Sequence, residues 1–142
     1  MSKNLSQNVK ITKVHAYEGA AGSTHYSDIL DMAGFEGVVF LASIGTAAAN
    51  NGVAVQQDTD VLGGTMADLE GSKILSDATQ TDFVTELIKP TERYVRLSVL
   101  RGTSTTIEAM WAIQYGPRKA PVENDTTTQA HEVHASPDEG TA

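Results

Sequence analysis

The chain contains no cysteine, which excludes a disulfide framework and any thiolate metal site. It has no apolar run near the roughly 20 residues that a membrane-spanning helix needs. Its first residues, Met1-Ser-Lys-Asn-Leu-Ser-Gln-Asn8, lack the apolar stretch of a signal peptide, so synthesis in the cytosol is expected. Basic residues are scarce where a nucleic-acid surface would need them. Between Val14 and Ile88 there are eleven acidic residues and one basic residue, Lys73, and the whole chain carries a formal charge of -8. A binder of nucleic acid must displace counterions with a basic face, so neither nucleic acid nor a membrane is an expected partner. The acidic middle reads first as a solvated surface, and second as complementary to a basic partner or a neighbouring subunit.

Catalytic signatures are also missing. There is no Gly-x-Ser-x-Gly elbow, no phosphate-cradling Gly-x-x-x-x-Gly-Lys-Ser/Thr loop, and no glycine spacing that fits a dinucleotide fold. Asp58-Thr-Asp60 with Gly63 begins like a calcium loop, but Leu62 and Leu69 stand where a ligand and the bidentate glutamate belong. A turn stabilised by aspartate side chains is the simpler reading. His131-Glu-Val-His134 puts two imidazoles three residues apart in a polar tail, with His15 or His25 as a conceivable third. Zinc asks for three or four ligands on a fixed scaffold, so an exposed polar arm is expected there rather than a metal site. No catalytic residue, metal ligand or cofactor is assigned.

What is present is a β pattern. Twelve glycines and short alternating segments suit a turn-rich antiparallel protein. Strands are predicted from Val9 to Thr12, Val53 to Gln57 and Asp82 to Lys89. Tyr26 to Met32 reads as a short strand or edge segment, and Glu18 to Thr24 as a flexible loop. Phe35 to Ile44, with Val38-Val-Phe-Leu41, reads as a strand buried on both faces. Gly45 to Gly52 is a loop or single helical turn. Thr65 to Glu70 reads as one or two helical turns with a weak capping box from Thr65 to Asp68. The cleanest periodicity comes last. Arg93 to Arg101, a Gly102-Thr-Ser-Thr105 turn, and Ile107 to Tyr115 read as a β-hairpin. Its inward face is expected to carry Val95, Leu97 and Val99, then Ile107, Ala109, Trp111, Ile113 and Tyr115. Arg96, Glu108, Met110 and Gln114 would face outward. Trp111 and Tyr115 are thus expected core anchors. Arg93, Arg96 and Arg101 form a basic cluster that pairs with acidic neighbours across the sheet or with an acidic partner.

Seven or eight such strands imply an all-β fold: an antiparallel, jelly-roll-like β-sandwich with short helical turns and an extended C-terminal arm. The expected organisation is an N-terminal extension over 1–8, a sandwich domain over 9–116, and an arm over 117–142. The arm starts where Pro117 and Pro121 disfavour sheet pairing. From Pro121 to Ala142 it has five acidic residues, no Lys or Arg, and only Val122 and Val133 as large apolar residues. Such a composition does not offset the entropy of ordering without a partner.

Four segments carry a resemblance. They are Gly34-Phe35-Glu36; Lys89-Pro90 with Arg93-Tyr94-Val95-Arg96; Ile113-Gln-Tyr-Gly-Pro-Arg-Lys-Ala-Pro121; and Ser136-Pro-Asp-Glu-Gly-Thr-Ala142. Together they resemble small virion proteins of tailed bacteriophages, in particular capsid decoration, or cement, proteins. The resemblance implies a β-rich, commonly trimeric protein, made in the host cytoplasm and located on the virion, on the outer capsid surface. Its partners would be the major capsid protein and further copies of itself. It implies contacts through the arm, including Pro117, Arg118, Lys119, Pro121, Val122, Val133 and Pro137, and Arg96 is a further candidate. A head–tail connector, a tail component, and a ligand- or carbohydrate-binding sandwich module are the alternatives.

Overall fold

The computed structural model describes residues 4–136 and 138–142. After one helical turn, α1 (Leu5–Asn8), the described chain is built from strands and turns. Seven strands have four residues or more: β1 (Val9–His15), β2 (Glu18–Ala21), β5 (Gly37–Ser43), β6 (Asn51–Asp58), β9 (Asp82–Ile88), β10 (Tyr94–Arg101) and β12 (Met110–Tyr115). Between them lie short edge pieces: β3 (His25–Tyr26), β4 (Leu30–Asp31), β7 (Ala67–Asp68), β8 (Ile74–Leu75) and β11 (Thr105–Ile107).

All pairings are antiparallel. One sheet runs β1-β12-β5-β9, the other runs β3-β10-β6-β7 with β4 and β8 attached, and β2 pairs with β11. The two larger sheets pack face to face as a β-sandwich. Val38, Phe40, Ala42, Met110 and Ala112 from the first meet Val53, Val55, Val95, Leu97 and Val99 from the second, all buried. Burial of this alternating set is the main favourable term of the fold.

Several expectations change. The last two long strands are not a hairpin: β10 lies in the six-stranded sheet and β12 in the four-stranded one. The intervening β11 leaves the turn to pair with β2 instead. The face of β12 is also reversed. Met110, Ala112 and Gln114 point inward, whereas Trp111, Ile113 and Tyr115 stand half-exposed on the outer side. The cause is the break at Glu108-Ala109, which puts buried Ile107 and buried Met110 three residues apart and switches the parity. Gln114 is tolerated inside because its amide donates to the Asp31 carbonyl at 2.9 Å. Trp111 and Tyr115 are therefore not core anchors. Glu18 to Thr24 is not wholly a loop, since β2 occupies its first half. Thr65 to Glu70 forms no helical turn. It contains β7, and the Thr65 hydroxyl donates to Asp58 rather than capping a helix.

The aspartate turn is as expected. Buried Asp58 accepts from the Thr65 hydroxyl at 2.6 Å, from Thr65 N at 2.7 Å and from Asp60 N at 3.0 Å. The Thr65 hydroxyl first, then these backbone donors, hold its carboxyl below the ordinary 3.8. A depressed carboxylate contributes stability above its unfolded value and loses it as pH falls through the folded value. Stability should therefore fall as the pH drops below about 4. In urea titrations across that range, Asp58→Asn should show a shallower loss.

Candidate interaction surface

The outer face of the four-stranded sheet is defined by register. One row runs Lys13, Trp111, Leu41, Val84; the next runs Ile11, Ile113, Val39, Glu86; the third runs Val9, Tyr115, Gly37, Ile88. Eight of these twelve positions are Val, Ile, Leu or Trp. Val84 is 66% exposed and Ile88 61%, Trp111, Leu41, Ile113, Val39 and Ile11 are partly exposed, and Val9 at the end of the third row is buried. The strand expected to be buried on both faces, β5, is thus fully covered on its inner side, whereas Val39 and Leu41 on its outer side are only partly covered. A sheet face this apolar beside water marks a contact surface.

Its polar rim is satisfied. The Tyr115 hydroxyl donates to Glu86 across β5, and this bond pushes the phenol up to about 12. The ring passes over Gly37, where any Cβ would fall on the Tyr115 side chain. The edge strand β9 borders this face, with no strand of the described chain on its other side.

Three of the four segments that carry the resemblance, those around Gly34, Lys89 and Tyr115, meet at one end of the sandwich. Glu36 N donates to the Tyr115 carbonyl at 2.9 Å, Lys89 N to Glu36 O at 2.8 Å, and Arg118 N to Gly34 O at 2.9 Å. Around them opens a cleft of about 620 Å³ lined by Met32, Phe35, Glu36, Lys89, Arg93 and Arg118. Arg93 grips Asp31 with two bonds of 2.8 Å and holds that carboxyl below its usual value.

The three arginines expected to cluster do separate things. Arg93 forms that exposed ion pair. Arg96 bonds Gln56 at 2.7 Å and lies 3.9 Å over the Tyr26 ring, a half-buried stack rather than an open basic patch. Arg101 is buried at 2% exposure.

The arm leaves at Gly116, whose φ of +63 and closeness to Glu36 exclude a side chain there. Pro117 is half-buried, and Arg118, Lys119 and Pro121 are exposed. From Val122 the arm lies along the free edge of β1. Val122 N donates to Gln7 O at 2.8 Å, Asn124 Oδ1 accepts from Ile11 N at 2.7 Å, and Gln129 Nε2 donates to Ile11 O at 2.8 Å. Covering an edge in this way blocks unwanted strand pairing. Beyond Gln129 the described residues are exposed, with Val133 at 49%. Pro137, and Met1 to Lys3 of the N-terminal extension, lie outside the described residues. Asn124 was absent from the sequence-based candidates, and so was the apolar outer face. The signal for the latter was the unbroken Val38-Val-Phe-Leu41 run.

No protein-family model matches the chain, and no curated protein sequence matches it.

Proposed function

We propose that the chain is a non-enzymatic structural protein of the capsid-decoration type, a homo-oligomer that seats on the outside of a phage shell and bridges capsid subunits. The observation that carries the reading is the apolar outer face of the β1-β12-β5-β9 sheet, continuous with the exposed edge of β9. Identical copies can cover this face and pair that edge by symmetry, and a trimer is the arrangement the sequence resemblance favours. The exposed arm beyond Gln129 supplies the second attachment. A segment that orders on binding covers much area at modest affinity, and linked contacts raise the effective concentration. The capsid protein is the partner of the arm, and copies of this chain are the partner of the face.

Light scattering after size exclusion tests the face. The wild-type chain is expected to run as a trimer. Ile113→Glu should run as a monomer with unchanged β-type circular dichroism, because Ile113 touches solvent and not the core. A wild-type monomer at high micromolar concentration overturns the assembly. Cosedimentation with purified shells tests the arm: removal of residues 130–142, which leaves the β1 edge covered, should reduce occupancy. Unchanged occupancy overturns the bridging role.

A further inference from the structure

The three-stranded corner at the far end of β1 holds a group of side chains that the attachment role does not use. His15 closes β1, Glu18 opens β2 and His25 opens β3, so the three come from three different sheets. Glu18 Oε1 lies 3.7 Å from His15 Nε2 and 3.8 Å from His25 Nδ1, and one ligand atom from each residue lies within 4.8 Å of the others. The two imidazoles meet edge to face, with centroids 5.7 Å apart and planes at 86°. All three are partly buried. Neither His131 nor His134 belongs to the group.

We propose that His15, Glu18 and His25 form a site for one zinc-class divalent cation. Two imidazoles and one carboxylate are a donor set that zinc takes, with a fourth position left for water or a neighbour's donor. The nitrogen donors disfavour calcium and magnesium, which want oxygen. Bonds of about 2.0–2.2 Å place tetrahedral ligand atoms roughly 3.3 Å apart. The two His–Glu pairs are within half an ångström of that, so side-chain rotation completes the site.

The local structure favours this use. The pairing of β1 with β12 slips between Lys13 and His15, a bulge that re-aims the last side chain of the strand. The His15 Nδ1–H donates to the Ala16 carbonyl, which fixes the tautomer and leaves Nε2 as a lone-pair donor facing Glu18. The Glu18–His25 connection is held from beneath by buried Arg101, which bonds Gly19 O at 3.0 Å and Ser23 O at 2.6 Å. A cation here would tie the four-stranded sheet to the six-stranded one.

Calorimetric titration of the full-length chain with zinc chloride tests the site, run above the usual titration range of imidazole. One ion per chain is expected, together with a higher melting temperature. Cobalt(II) should give visible absorption bands of tetrahedral intensity. Glu18→Gln and His25→Ala, both at partly exposed positions, should each weaken binding by at least ~10-fold while keeping the β-type circular dichroism. A His131→Ala/His134→Ala double variant should bind as the wild type does. Absence of stoichiometric binding overturns the proposal. So does binding that survives Glu18→Gln and His25→Ala, or that disappears in the arm double variant.

Discussion

Ala112→Glu should not fold at 25 °C, whereas Ile113→Glu, one residue further on, should fold and melt cooperatively. Ala112 is fully buried, opposite Thr12 on one neighbouring strand and Phe40 on the other. A glutamate there faces the fully buried Phe40 and Leu97 layer. The buried cluster around it is wholly apolar. Charged burial costs several kcal/mol, and protonation exchanges that cost for an unpaired acid in apolar surroundings. The added methylene and carboxyl also overpack a filled core, which adds about 1–3 kcal/mol. A combined loss of roughly 5 kcal/mol or more matches the whole stability of many domains. Ile113 sits on the outer row with Val39, where a carboxylate remains hydrated. Circular dichroism melts of both variants decide the matter. Tolerance of Glu at 112 and unfolding at 113 would mean that β12 presents the opposite face to the core.

That pair of variants also marks where sequence reading stops. The alternation of β10 was legible: Val95, Leu97 and Val99 are all fully buried, as their period of two predicts. Counting on by twos from Ile107 failed, because the chain breaks at Glu108-Ala109 and one odd step exchanges the faces. Composition reinforced the error, since Trp111 and Tyr115 look more core-like than Ala112 and Gln114. What makes Gln114 acceptable is a carbonyl 83 residues away, on Asp31. The turn at Gly102 looks like a hairpin turn locally, and only the pairing of β11 with β2 sends the next strand to the other sheet. The exit of the arm at Gly116-Pro117 was legible from backbone chemistry, but its docking through Asn124 was not, because one asparagine among polar residues has no pattern. His15, Glu18 and His25 likewise converge only through tertiary pairing.

Arg101→Met should lower stability by about 3 kcal/mol and the melting temperature by roughly 10 °C. Two effects oppose each other at this position. The guanidinium is 2% exposed and makes no carboxylate pair among the described residues, so its charge is desolvated without a counter-ion. Methionine removes that penalty and fills much of the same volume. Against this stand four bonds: to Ser23 O at 2.6 Å, and to Gly19 O, Thr105 O and Ser23 Oγ at 3.0 Å. Bonds from a charged donor contribute about 1.5–3 kcal/mol each, and stranded carbonyls cost about 1–3 kcal/mol where water does not reach them. The carbonyls come from β2, from the β2–β3 connection and from β11, so one fork satisfies three segments that have few ladder bonds of their own. The bonds outnumber the single desolvated charge, and the sum favours arginine. Arg101→Lys keeps the charge but not the planar fork, and should fall between wild type and Arg101→Met. Because the same fork holds the connection between Glu18 and His25, zinc affinity should fall along with stability in both variants. An Arg101→Met chain as stable as the wild type would show instead that desolvation dominates, and that β2 is held by its pairing with β11 alone.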